Sequence, residues 1–418
     1  MRTASWRRGG TRIGAIVALL VALLVAPLLA SCAKPPPPPA AATIAGMPWD
    51  SVVARARGTT VVWRMWRGDP SVNAFIDRWV APRLLAQYGI TLQAVNGQGN
   101  ELVDQLTVER EAGATTGTAS LLWINGETFG ALRARSLLGG PWSQVLPAAE
   151  LVDRESPIVS RDFEQDPAGY ESPWGTVQLA LIYDAARTPN PPRTLEDLAV
   201  WIRAHPGRFT HDQGFTGITL LKSWLYALNG GVGTFAGGFD STAYVAGRTR
   251  LFALLDSLEP SLWRQGTQYP SDVAAMHRLF ANGEIDFSMS NNQNEAVTKA
   301  MQGVIPATSR ALVLRDGTIA NAHYVGIPFN APNAAGAMVV ANFLLTPEAQ
   351  LEKQRPGVWA DGTVLRLDAL PPEWRARFDS VVNDPRLVPA DTLRAFARPE
   401  VSPRYHERLQ DDWRRLVR

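Results

Sequence analysis

The sequence predicts an α/β protein of two domains carried behind an export signal, and three observations lead there. A basic start, an apolar middle and small residues stand before the single cysteine, Cys32. At 418 residues the chain is too long for one ordinary core. Between residues 59 and 124 strand-like and helix-like runs alternate as β-α-β-α-β, the pattern of a parallel sheet with crossover helices.

The leader carries Arg2, Arg7, Arg8 and Arg12 and no acid, then the apolar run Ile13 to Ala30. Its end, Leu29-Ala30-Ser31-Cys32, resembles a bacterial lipobox. The resemblance implies cleavage before Cys32 and acylation of its thiol, so residues 1–31 read as a signal peptide and the mature chain is anchored in the cell envelope by lipid, facing the periplasm or the exterior. A permanent membrane helix is the alternative, since eighteen apolar residues just reach across a bilayer. The Arg7-Arg8 pair offers a twin-arginine route, although the residues after it fit that consensus poorly.

Taking the four leader arginines from 41 basic residues leaves 37 against 39 acidic ones, a net charge of about −2. A nearly neutral body has no electrostatic footprint for nucleic acid. With no second thiol there is neither a disulfide nor a cysteine-ligated metal site. Residues 32–57, with Pro35 to Pro39 at their start, read as a lipidated cysteine and an extended spacer.

The first strand is expected at Thr59 to Trp63. Asp69 before Pro70 is a helix cap, and the stripe Val72, Phe75, Ile76, Trp79, Val80, Leu84, Leu85 and Tyr88 is one apolar helix face closed by Gly89. Pro82 should kink or split that helix. Strands at Thr91 to Val95 and Ala119 to Ile124 flank a helix from about Glu101 to Glu111. Right-handed crossovers make the three strands parallel, so the loops at Arg64 to Asp69, Asn96 to Asn100 and Asn125 to Glu127 emerge on the ligand-binding edge. Val177 to Tyr183 alternates as a strand, and Thr194-Leu195-Glu196-Asp197 is a capping box. Asn229 to Gly238 is a glycine-rich loop, Asp272 to Ala281 a helix, Ile285 to Met289 and Tyr324 to Phe329 strands, and Ala334 to Leu345 and Pro347 to Gln354 helices. The arginine-rich tail from 356 is helical and wraps the body.

The run Tyr170-Glu171-Ser172-Pro173-Trp174-Gly175-Thr176-Val177-Gln178-Leu179-Ala180-Leu181-Ile182-Tyr183-Asp184, followed by Pro191-Pro192-Arg193-Thr194-Leu195-Glu196-Asp197-Leu198, resembles the solute-binding proteins of ABC importers, of the type II class. Val325-Gly326-Ile327-Pro328 and Phe343-Leu344-Leu345-Thr346-Pro347-Glu348-Ala349-Gln350 match the same class. Leu122-Trp123-Ile124-Asn125-Gly126-Glu127-Thr128-Phe129 and Pro173-Trp174-Gly175 are similar to its YnjB-type group. The resemblance implies a type II periplasmic binding protein fold: two α/β lobes joined by two hinge strands, lobe 1 from 58–174 and 324–418 and lobe 2 from 175–323. It further implies a monomer that closes on one small solute and docks on a permease driven by an ATPase, without cofactor or catalysis.

In that topology Trp66, Asp69, Asn125, Glu127, Trp174 and Gln178 lie on or beside the loops that face the cleft, with Trp224, Ser290, Asn291, Asn292 and Asn321 the comparable candidates from the second lobe. Asp69 is also a helix cap, and serves both roles only if its second oxygen points into the cleft. Glu127 can cap the next helix, Trp123 and Trp174 can be core, and the asparagines can be loop solvation. Carboxylates beside tryptophan rings suit a flat, thiamine-like cation; the same loops offer backbone N–H groups to an anion.

His205, His211, His277, His323 and His406 never take a metal-binding spacing, and no Gly-x-Ser-x-Gly occurs. Gly231-Val232-Gly233-Thr234-Phe235-Ala236 follows a helical pattern, not the strand that a dinucleotide fingerprint needs. The competing readings are an envelope glycan enzyme using Asp69 and Glu127 across a cleft, and a scaffold lipoprotein without a small ligand.

Overall fold

The computed structural model describes residues 40–416. The signal peptide, Cys32 and the run Pro35 to Pro39 lie outside the described residues. The end of the expected spacer is folded: α1 (Ala40–Ala45) and α2 (Trp49–Ala56) bury Ala41, Ile44, Val52 and Ala56 in the first core. Val52 and Ala56 are four apart, so one face of α2 carries both inward.

In β1 (Thr60–Met65) Val61, Trp63 and Met65 alternate inward. Asp69 caps α3 (Pro70–Ala74), which runs through a π turn at Phe75–Val80 into α4 (Ala81–Tyr88). The helix is thus divided into α, π and α stretches directly before Pro82. The wide turn lets the Ala81 N–H reach the Ile76 carbonyl, shifting the pairing where proline has no donor. Gly89, at φ 65°, closes the helix in the left-handed conformation.

The first lobe continues with β2 (Thr91–Asn96), α5 (Asn100–Glu111), β3 (Leu121–Ile124), α6 (Gly126–Ala134), the short α7 (Pro157–Ser160) and β4 (Glu171–Gln178). The second is built from β5 (Ala180–Asp184), α8 (Leu195–Ala204), α9 (Phe215–Leu228), α10 (Ser241–Leu258), α11 (Val273–Ala281), β6 (Phe287–Ser290), α12 (Glu295–Met301) and β7 (Ser309–Leu312). The chain returns through β8 (Thr318–Gly326), α13 (Ala334–Leu344), α14 (Pro347–Gln354), α15 (Pro372–Val382), α16 (Ala390–Phe396), β9 (Ala397–Arg398) and α17 (Pro403–Leu416).

The first sheet has the order β2-β1-β3-β8-β4, with β9 beside β8; the second is β6-β5-β7. β1 is parallel to β2 and β3, as crossover helices require, whereas β8 is antiparallel to β3 and β4. The segment Val177 to Tyr183 is not one strand. It divides at Leu179, whose N–H donates to the Ile319 carbonyl at 2.9 Å, and its halves join different sheets. With the return from β7 to β8 this makes two strand crossings between the lobes.

The tail crosses again. Val401, Tyr405, Leu409 and Trp413 recur every four residues and all enter the second core, so α17 packs on lobe 2 while His406 meets Glu127 of lobe 1.

Beside the crossing, Gly175 meets a buried ion cluster: a Cβ there would lie 2.0 Å from His323 Nε2 and 2.1 Å from Asp361 Oδ2. Asp361 pairs with Lys353 at 2.8 Å and with His323 at 3.1 Å, and both Lys353 and Asp361 are fully sequestered. Asp361→Asn leaves the Lys353 ammonium buried without its counter-charge, and is expected to cost about 3–5 kcal/mol in urea unfolding. A loss below about 1 kcal/mol, the value of an exposed pair, would contradict this role.

Candidate functional site

Between α7 and β4 the chain makes a turn that local sequence does not favour. Phe163 and Glu164 sit at φ 49° and 62°, a left-handed conformation unusual for bulky side chains. Paired backbone bonds between Asp162 and Gln165, at 3.0 and 2.9 Å, hold it. The loop after β3 packs directly on the turn: Gln165 Nε2 donates to the Gly126 carbonyl at 2.7 Å, and any side chain at Gly126 would strike the Phe163 ring. The turn thereby presents Phe163 and Glu164 to a cavity of about 450 Å³. Its other walls are Asn321 of β8, Gly237 and Gly238 of the glycine-rich loop, and Glu400, Ser402 and Pro403 of the tail.

Charge is concentrated here. Lys222 of α9, fully buried, donates to both oxygens of Glu400 at 2.5 and 2.7 Å, and the Phe163 and Phe215 rings stand 4.8 and 5.2 Å from its ammonium. Burial pulls the Lys222 pKa down, opposed by Glu400 and Glu127. Asn321 Nδ2 donates to Glu400 at 3.2 Å.

Asp162 is 1% exposed, and neither carboxylate oxygen has a hydrogen-bond partner of good geometry among the described residues. Burial, then the Glu400 charge, push its carboxyl well above the usual range; the Gly126 N–H offsets a little of this. Glu171 is equally buried and unpartnered, raised by burial and by Asp162 against the pull of Arg133. Burial also raises Glu164, against the N–H groups of Gly238 and Gly237. Glu127 is the exception: its contact with His406, at 2.9 Å, outweighs burial and lowers its pKa.

The sequence-derived residues fall in three places. Asn321 lines this cavity, while Asn125 and Glu127 stand on the loop and helix start beside it. Asp69 lies on a separate seam between the lobes. Its Oδ1 accepts from the Ser71 and Val72 N–H groups and its Oδ2 meets Lys299 of α12 at 2.5 Å, so it caps a helix and bridges the lobes at once. Burial opposes the charge of Glu295, but His277, Lys299 and Ser290 hold its carboxyl down at about 2. Trp66 is exposed on the same loop, folded over Gly68.

The third group belongs to the crossing. Asn292 Nδ2 donates to the Trp359 carbonyl at 3.0 Å, and its N–H is accepted by Ser290. Asn291 reaches Thr216 at 3.1 Å, and the Gln178 N–H donates to Gln293 at 2.9 Å. Trp174 and Trp224 line no cavity: Trp174 packs edge-on to Trp63 and Trp123 in the first core, and Trp224 stacks near Phe209 in the second. The carboxylates Asp69 and Glu127, candidates for glycan chemistry, are each held by a different partner, Lys299 and His406.

Sequence reasoning missed Asp162, Phe163, Glu164, Glu171, Lys222 and Glu400. The available signal was an acid-aromatic-acid run, Asp162-Phe163-Glu164, in a stretch without helix or strand period. Among the described residues no group of three His, Cys, Asp or Glu side chains has the geometry to hold a metal ion.

Residues 79–359 match the family described as bacterial extracellular solute-binding protein. The chain is 35% identical to Protein YnjB of Escherichia coli (strain K12) over 369 residues, 87% of this chain and 92% of that protein. Solved structures share the fold. PotD, a spermidine/putrescine ABC transporter substrate-binding protein from Streptococcus pneumoniae, superposes with a TM-score of 0.59 at 16% identity, covering 86% of this chain and all of that one. AfuA from Actinobacillus pleuropneumoniae, solved with fructose-6-phosphate, gives 0.58 at 14% over 86% and 98%, and iron-bound HitA from Pseudomonas aeruginosa gives 0.57 at 16% over 85% and 99%. Two α/β lobes with this topology, these relatives and the matched segment together make the chain a member of the bacterial extracellular solute-binding protein family.

Proposed function

We propose that the chain captures a small organic cation, thiamine-like in size and charge, in the cavity between Phe163 and Glu400, and delivers it unchanged to an ABC permease. In this reading the mature protein acts as a monomer tethered by lipid at Cys32, which keeps it near the permease and raises its effective concentration there. One observation carries the choice of charge: behind the cavity wall formed by Phe163 and Glu164, Asp162 and Glu171 are buried acids without hydrogen-bond partners among the described residues, a costly arrangement that a bound cation would repay. Phe163 adds a ring for cation-π contact. An anion would find Arg161 on the cavity lining, whereas the Gly237 and Gly238 N–H groups already serve Glu164. The neighbours named for spermidine/putrescine, fructose-6-phosphate and iron span both signs of charge, so the cavity and not the fold decides.

A melting screen of the tether-free mature body against thiamine, spermidine, neutral sugars and phosphate tests the reading directly. An organic cation is expected to raise the melting temperature. A shift with phosphate or sugar alone would overturn it.

Asp162→Asn separates binding from stability. Removing an unpartnered buried carboxyl, whose pKa burial has raised, is expected to stabilise the solute-free protein by about 1–3 kcal/mol at neutral pH while weakening cation binding at least about tenfold. A destabilised variant with unchanged affinity would count against the site.

The pH dependence has a definite sign. The folded pKa values of Asp162 and Glu171 are raised, so the folded protein holds more protons than the unfolded chain above about pH 4. Their stabilising contribution is complete below the unfolded carboxyl pKa and is lost as pH rises through the folded values. Stability of the solute-free protein should fall with rising pH in urea titrations, and Asp162→Asn should flatten that slope; an unchanged slope would contradict the assignment.

A further inference from the structure

We infer that Asp69 and Lys299 form a releasable latch, which holds the two lobes together without any solute and parts without leaving either charge alone. This goes beyond the proposed function, because it concerns the solute-free protein and is the same whichever solute is carried.

The latch joins the start of α3 in the first lobe to the end of α12 in the second. Lys299 Nζ meets Asp69 Oδ2 at 2.5 Å, and beside it Gln302 Nε2 donates to Ser71 Oγ at 3.0 Å. The side chains of the ion pair are 7% and 12% exposed, so water screens them less than it would a surface pair. Protein groups alone make both bonds, so no solute is needed to form them.

What makes the contact releasable is that each partner has a second one at home. Glu295, one turn before Lys299 on α12, stands 3.6 Å from its ammonium. Burial opposes the Glu295 charge, but His277 and Lys299 hold its carboxyl at about 2, so it is ionised at neutral pH. Lys299 therefore keeps a counter-charge on its own helix when Asp69 moves away. Asp69 in turn keeps the Ser71 and Val72 N–H groups, at 2.6 and 3.2 Å, which belong to its own lobe. Met301, lying over Gly357, is 53% exposed, so parting the seam uncovers little apolar surface there. The Lys353 and Asp361 pair is the opposite case: it is sequestered within one lobe, and separating it would strand an ammonium.

Asp69→Asn isolates the latch, because asparagine caps a helix about as well as aspartate yet offers Lys299 no charge. The chain's single cysteine is Cys32, so the tether-free body has no thiol and a pair of spin labels can be placed at Arg78→Cys and Val304→Cys. Both positions are exposed, the first on the π turn that continues α3 and the second just after α12, so parting the seam must separate them. In the solute-free labelled protein, double electron–electron resonance is expected to show mainly one short distance. Asp69→Asn should add a longer one and lower the closed-to-open ratio about tenfold, and Lys299→Gln should do the same from the other lobe. A distance distribution unchanged in either variant, or a parent protein already at the long distance, would overturn the latch. So would a lower melting temperature in Asp69→Asn with no longer distance, which marks a helix cap and nothing more. No solute enters this measurement, so its failure is separate from failure of the melting screen.

Discussion

The buried pair of Lys222 and Glu400 is the constraint on which the rest of the site depends. Its partners are 178 residues apart in sequence, one on a helix of the second lobe and the other on the tail. Neither charge can stand alone in that interior, since an unpaired ammonium or carboxylate there would cost several kcal/mol. The tail must therefore pass across the cavity at Glu400, and once it does, the stripe from Val401 to Trp413 can lie on the second core. A pair of apolar residues would hold the tail as firmly; what an ion pair adds is register, because only one placement matches the charges.

Around this pair the protein tolerates groups that a structure built only for stability would exclude. Phe163 and Glu164 are held in a left-handed turn, Asp162 and Glu171 are buried without partners, and Ser402 keeps an idle hydroxyl. Phe163, Glu164 and Ser402 line the cavity and Asp162 adjoins it in the turn, while at the second seam between the lobes Asp69 is bound both to its helix and to Lys299. The separate Asp69 and Lys299 seam is a structural closure, since all of its charges already have partners.

Much of the fold was legible because local chemistry and tertiary structure agree. Asp69 before Pro70, the Thr194 cap, Gly89 at its helix end and the alternating β1 each do in the structure what their residue types favour locally. Pro82 marked the break in its helix, but the π turn that accommodates it carries no sequence mark. The helical pattern before Gly231 is α9, which is buried on nearly every side. The candidate site was less legible still. Asn125 and Glu127 follow the end of β3 and Asn321 lies within β8, but Lys222 and Glu400 meet only through tertiary folding, and Asp162 gains its character from burial that no local pattern encodes. Trp174 and Trp224 show the converse: tryptophans near a cleft in sequence order became core because large rings fill the sheet interfaces.

A crystal structure of the tether-free mature protein grown with thiamine tests the central claim most directly. The account predicts the solute between Phe163 and the tail, its positive ring beside Asp162 and Glu164 and a polar atom on the Ser402 hydroxyl. Thiamine bound at the Asp69 and Lys299 seam instead, or a cavity left empty under saturating thiamine, would contradict it.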